Sequence, residues 1–204
     1  MPRLLLVRHG ETEQNSGFRY WGRSDVALSD IGLRQAERLR ERLNIEKIDF
    51  IYSSDLKRAL ITAQIIACKH NLKVIVCPEL REIDFGRLEG LTFDEVNHLY
   101  PGVARMWMER APGLIYPGGE SLAELDKRVC QFRSRLEGHN EQGTLLVVAH
   151  SGVLRTLLCQ LLCVEPQQRW QIRLDLASLT IVETYRHGAI LSLLNDVSHL
   201  RERS

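Results

Sequence analysis

Short apolar runs alternate along the chain with longer stretches whose apolar positions recur every three or four residues. That alternation predicts an α/β fold with a largely parallel sheet. Leu4–Val7 reads as a first, buried strand. Ser29 then caps a helix running to about Leu43, with Leu33, Ala36, Leu39 and Leu43 on one face and Leu28 and Leu33 placed as a hydrophobic staple around the cap. Phe50–Tyr52 predicts a second strand, and Asp55 is the expected cap of a helix from Leu56 to about Cys68 that buries Leu56, Ala59, Leu60, Ala63 and Ala67. Val74–Val76 and Leu145–Ala149 predict two further strands. A helix carrying Val153, Leu154, Leu157, Leu158 and Leu161 follows, and two closing strands, Leu179–Glu183 and Ala189–Leu194, meet at His187-Gly188. Residues 84–120 are rich in Gly and Pro and read as a helical insertion with loops over one edge of the sheet. Within its end, Ser121 and Glu124 have the spacing of a capping box.

Bulk properties narrow the setting. The 204 residues, 44% hydrophobic and 26% charged, suit a single globular domain over 1–204. Net charge is +1 without a like-charge run, so no nucleic-acid partner is expected and any anion site must be local. The apolar run before Arg8 is too short for a signal peptide, and none approaches the ~20 residues of a membrane span, so neither export nor a membrane partner is expected. Five cysteines (Cys68, Cys77, Cys130, Cys159, Cys163) lack zinc-like pairing and read as reduced, mostly buried thiols in a cytoplasmic protein.

The chemistry gathers where strands end. Strand 4–7 runs into Arg8-His9-Gly10, strand 145–149 into His150-Ser151-Gly152, and strand 50–52 leads to Arg58 in the first turn of a helix. Ligands of open α/β sheets bind at the carboxyl ends of parallel strands. Two arginines and two histidines would meet there, beside helix N-termini whose free N–H groups favour an anion. Guanidinium groups can hold phosphoryl oxygens bidentately. A neutral imidazole can attack phosphorus, and a second imidazole can hydrogen-bond the phosphoryl group. The leaving alkoxide needs an acid. Glu82 is the candidate, with Asp84, Glu89 and Glu11 as alternatives; Glu11 is the better loop-orienting residue. His70, His98, His139 and His187 read as surface residues near helix ends or turns, and Trp107 and Met106 as packing. Cys163 and Arg169 have the spacing of cysteine-dependent phosphatases, but the intervening Val-Glu-Pro-Gln-Gln has no glycine to shape an anion cradle.

Five motifs in order resemble the histidine phosphatase, or phosphoglycerate mutase-like, superfamily: Leu6–Thr12, Ser53–Ala59, Arg81–Thr92, Pro117–Ser121 and Ala149–Gly152. The resemblance implies a three-layer α/β/α fold with helices on both faces of a mostly parallel sheet. It implies that His9 becomes phosphorylated, with Arg8, Arg58 and His150 around the phosphoryl group and Glu82 as acid/base. Asn15 would be a secondary phosphate contact; Trp21, Gly22 and Ser151 are further candidate substrate contacts. No metal or organic cofactor is expected, and the partner is a small phosphorylated metabolite, handled by a monomer or homodimer. The segment from Gly90 to Pro117 is short and holds only Arg105 and Arg110 as arginines, which favours hydrolysis over a mutase reaction. A non-enzymatic phosphate-binding protein is the remaining alternative, and retention of both arginines and both histidines speaks against it. Leu194–Leu200 resembles α-ribazole phosphatases and their broad-specificity relatives, which puts α-ribazole 5′-phosphate, from cobalamin biosynthesis, among the candidate substrates. Trp21 stands where many relatives carry glutamine.

Overall fold

A computed structural model describes residues 2–14 and 19–201. Its centre is a six-stranded sheet in the order β3-β2-β4-β1-β5-β6. The strands are β1 (Arg3–Arg8), β2 (Phe50–Ser53), β3 (Val74–Val76), β4 (Thr144–Ala149), β5 (Leu179–Tyr185) and β6 (Gly188–Asp196). The first four are mutually parallel; β5 adds antiparallel to β1, and β6 pairs antiparallel with β5 at the edge.

Side chains alternate across β1, so its two faces feed two cores. Leu5 and Val7 pack with α1 (Asp30–Leu43) and α2 (Lys57–Ala67). Leu4 and Leu6 face the opposite layer, built by α5 (Leu122–Leu136) and α6 (Ser151–Leu162). The expected three-layer arrangement is present. The insertion holds two short helices, α3 (Phe93–Leu99) and α4 (Pro101–Met108). Expected over a sheet edge, it instead sinks Phe85, Leu88, Val96, Ala104, Leu114 and Tyr116 into the α5/α6 core. Ser121 and Glu124 close the capping box at the start of α5.

Local expectations fail where a distant partner takes over. Ser29 caps α1 by accepting from the Gly32 N–H, but Gly32 occupies the buried position and Leu33 is 39% exposed, which leaves the staple position facing solvent. Asp55 does not cap α2: its carboxylate takes the guanidinium of Arg81, which holds it below the usual Asp range. Asp25 caps α2 from across the structure, accepting from the Lys57 N–H at 2.7 Å. The cysteines also depart from expectation, since Cys68, Cys130 and Cys163 are exposed and only Cys77 and Cys159 are buried; all five are free thiols. Among the described residues no helix is long and apolar enough to cross a membrane.

Candidate active site

All four parallel strands deliver a functional group at their carboxyl ends. β1 ends in Arg8 and runs into His9, β4 is followed by His150, and β2 leads to Arg58 in the first turn of α2. β3 leads into the loop carrying Glu82. The His9 backbone is pinned from both sides, donating to the Ala149 carbonyl at 3.1 Å and accepting from the Ala177 N–H at 3.0 Å. Gly10 has no room for a side chain, because a Cβ there would lie 2.6 Å from the Gly32 carbonyl oxygen.

The hydrogen bonds settle which face of each imidazole is available. His9 Nδ1 lies 2.7 Å from the Gly10 carbonyl, an acceptor only, so Nδ1 carries the proton and Nε2 keeps its lone pair. Arg58 Nε donates to His150 Nδ1 at 3.2 Å, so His150 carries its proton on Nε2. That Nε2 is buried and has no hydrogen-bond partner among the described residues. The two rings lie 5.1 Å apart, centroid to centroid. Burial, reinforced by Arg58 and Arg8, holds His9 well below the usual histidine range. Burial and the Arg58 charge do the same to His150. Both imidazoles are therefore neutral at neutral pH: one carries a free Nε2 lone pair, the other an N–H donor without an acceptor among the described residues.

The arginines are fixed in advance. Arg58, in the first turn of α2, is only 2% exposed. Besides His150, it donates to the Ser24 carbonyl at 2.7 Å and the Gly22 carbonyl at 2.6 Å. Arg8 donates to the Leu174 carbonyl at 2.7 Å, while its buried Nε has no partner among the described residues. Burial lowers Arg8 to about 10, with the nearby Glu82 charge opposing the shift; it remains a cation at neutral pH. Unpaired buried donors on Arg8 and His150, next to Arg58, make the site deficient in acceptor oxygens, which a phosphoryl group supplies.

Glu82 is 8% exposed and held by two backbone donors, the Ile83 N–H at 2.9 Å and the Gly152 N–H at 3.1 Å. Gly152 belongs to the first turn of α6, so one of the helix N-terminal amides holds the Glu82 carboxyl group instead of facing an anion. A Cβ on Gly152 would lie 2.5 Å from Glu82 Oε1, which explains the glycine after His150-Ser151. Glu82 is the strongest opposing charge felt by both Arg8 and Arg58. The alternative acids are committed elsewhere. Glu89 accepts from the Gly22, Arg23 and Ser24 N–H groups and the Ser24 hydroxyl. Asp84 accepts from the Gly86 N–H, and Glu11 from the Ser29 hydroxyl, in the loop-orienting role anticipated for it.

Of the expected substrate contacts, Asn15 lies outside the described residues. Gly22 does not present a free group: its N–H goes to Glu89 and its carbonyl to Arg58. Trp21 is half-buried, and its indole N–H donates to the Gln14 carbonyl at 2.9 Å, leaving only its apolar face for a ligand. Ser151 opens α6, half-buried, beside His150. Three residues that sequence reasoning did not single out shape the site. Gly32 packs against Gly10, and the Thr62 hydroxyl accepts from the Gly10 N–H while donating to the Arg58 carbonyl. Arg155 on α6 donates to the Ile172 carbonyl and adds its charge to the field around Arg8. Cys163 sits in left-handed geometry at the end of α6 and Arg169 pairs with Asp126, so that pair forms no phosphate cradle.

The model of the histidine phosphatase superfamily (branch 1) matches residues 4–197. The chain belongs to that superfamily. Phosphoserine phosphatase 1 of Hydrogenobacter thermophilus is 38% identical, over 99% of this chain and 96% of the relative. Phosphoglycerate mutase-like protein 4 of Arabidopsis thaliana is 36% identical, over 98% of this chain and 87% of the relative. Among solved structures, the α-ribazole phosphatase from Shigella flexneri superposes with a TM-score of 0.87 at 29% identity, over 95% of this chain and 96% of that one.

Proposed function

We propose that this histidine phosphatase hydrolyses small phosphate monoesters through a phosphohistidine on His9. The observation that carries the reading is a His9 ring with a free Nε2 lone pair 5.1 Å from the His150 ring, together with buried His150 Nε2–H and Arg8 Nε–H groups that find no acceptor among the described residues. In this reading His9 Nε2 bonds to phosphorus as the P–O ester bond breaks. Arg8, Arg58 and the His150 N–H hold the nonbridging oxygens and stabilise the charge of the transferring group. Glu82 acts as the general acid that delivers a proton to the departing alkoxide. The resulting carboxylate then takes a proton from the water that attacks the phosphohistidine, which restores Glu82 and releases inorganic phosphate.

Kinship ranks the substrates to assay. Phosphoserine comes first, because the phosphoserine phosphatase relative is 38% identical over nearly the whole chain. α-Ribazole 5′-phosphate comes second, on the Shigella structure and the C-terminal segment. Residues 1–204 are assigned to one catalytic domain acting as a monomer or homodimer, and the five free thiols suit a reducing, cytoplasmic setting. The test is product analysis with rapid quenching. Wild type should release inorganic phosphate and leave an acid-labile, alkali-stable phosphoenzyme, both absent from His9→Ala. Interconversion of phosphoglycerates without phosphate release would replace this reading with a mutase, and turnover by His9→Ala would remove the nucleophile.

A further inference from the structure

The loop that carries Glu82 is clamped from outside the site by one side chain on α5. Arg128 uses all five of its N–H donors there. Its Nε and Nη2 form a fork on the Glu120 carboxylate at 3.0 and 2.6 Å. Its Nη1 donates to the Glu79 and Arg81 carbonyls at 2.8 and 2.6 Å, and Nη2 also donates to the Glu82 carbonyl at 3.1 Å. Glu120 in turn accepts from the Asp84 N–H at 3.0 Å, and its own N–H donates to the Asp84 carbonyl at 3.0 Å. The acid loop is thus fixed at 79, 81, 82 and 84, on both sides of the carboxyl group, by a pair whose side chains are only 14% and 8% exposed. With no donor left over, Arg128 has nothing to offer a phosphoryl group.

A bidentate guanidinium is planar and rigid, and a lysine cannot reproduce five directed bonds. We propose that Arg128, fixed by Glu120, is a positioning residue that sets the Glu82 carboxyl at the leaving oxygen. This rests on Glu82 being the general acid. Proton transfer to a leaving group needs the donor within hydrogen-bond reach, and a shift of about 1 Å costs on the order of a hundredfold. Loosening the clamp therefore penalises esters whose leaving alkoxide must be protonated and spares esters whose leaving group departs as a stable anion.

The test compares wild type, Arg128→Lys, Glu82→Gln and the double variant on an alkyl phosphate and on p-nitrophenyl phosphate. Arg128→Lys keeps the positive charge and removes the fork, so geometry is separated from field. It should lower kcat/KM for the alkyl ester roughly 30-fold and for the aryl ester about threefold or less. In the Glu82→Gln background it should add almost nothing to the alkyl-ester loss, since the group it positions is gone. Equal losses on both esters, or full additivity with Glu82→Gln, would overturn the proposal. Should Arg128→Lys fail to fold, Glu120→Gln is read the same way, with an expected alkyl-selective loss of about tenfold. Phosphoenzyme trapping on wild type keeps the two readings apart. Without phosphohistidine both fall; with phosphohistidine and an alkyl-selective loss in Glu82→Gln but none in Arg128→Lys, only the role of Arg128 falls.

Discussion

Two buried neutral imidazoles side by side make stability depend steeply on mild acid. His9 and His150 are both held well below 6.5, first by burial and then by Arg58 and other neighbouring charge. In the unfolded chain each returns to an ordinary histidine, so below about pH 6.5 the unfolded state binds protons that the folded state refuses. Stability is thus complete above the unfolded value and is lost as pH falls below it. Each histidine contributes a slope of up to about 1.4 kcal/mol per pH unit, whatever the exact folded value, provided it lies below the range scanned. Integrated from about pH 7.5 to about pH 5, that is about 2 kcal/mol per histidine and about 4 kcal/mol for the pair. Carboxylates held low by partners, such as Asp55 and Asp175, lose stability mainly at more acidic pH and barely enter this window. Urea unfolding at both pH values, on wild type, His9→Gln, His150→Gln and the double variant, isolates the effect. The loss on acidification should shrink by about 2 kcal/mol in each single variant and about 4 kcal/mol in the double. Equal acid losses in wild type and the double variant would refute the neutral assignment of both rings.

Two further outcomes follow from contacts behind the site. Thr62→Val removes the hydroxyl that accepts from the buried Gly10 N–H, and should cost about 1–3 kcal/mol in a denaturant melt, while Thr62→Ser should retain most of the stability. Glu89→Gln replaces an acceptor of four donors with one that accepts on one side only, loosening the Gly22 and Ser24 carbonyls that hold Arg58. Inhibition by inorganic phosphate should weaken about tenfold, equivalent to ~1.4 kcal/mol, and an unchanged inhibition constant would count against that linkage.

What the sequence reveals here is what local order encodes. Leu4–Val7 and Leu145–Ala149 are unbroken apolar runs that end in Arg-His-Gly and His-Ser-Gly, so strand, direction and functional group can be read together. Glu82 stands in a segment with two other carboxylates, and nothing local separates it from Asp84 or Glu89. Only the partners do, and those lie far away in the chain: Gly152 for Glu82, Gly22 to Ser24 for Glu89. The same reason hides Asp25 as the cap of α2, since a side chain 32 residues upstream leaves no periodic trace. Leu33 is the natural apolar choice for the buried face of α1, but the close approach of the Gly10–Glu11 loop admits only Gly32, which has no side chain, at the buried position. Exposed Cys68, Cys130 and Cys163 likewise sit where general hydrophobicity gives no guidance.

The three-sided grip on Arg58 has a consequence for turnover. Freezing a free arginine side chain costs up to about 2 kcal/mol of conformational entropy. Here the Gly22 and Ser24 carbonyls and His150 impose that order during folding, so an arriving phosphoryl group meets a guanidinium already in place. Such readiness does not distinguish the ester from the inorganic phosphate left after hydrolysis, because both offer the same oxygens. The enzyme is therefore expected to hold its product, and its speed on good substrates to be set by how quickly phosphate escapes.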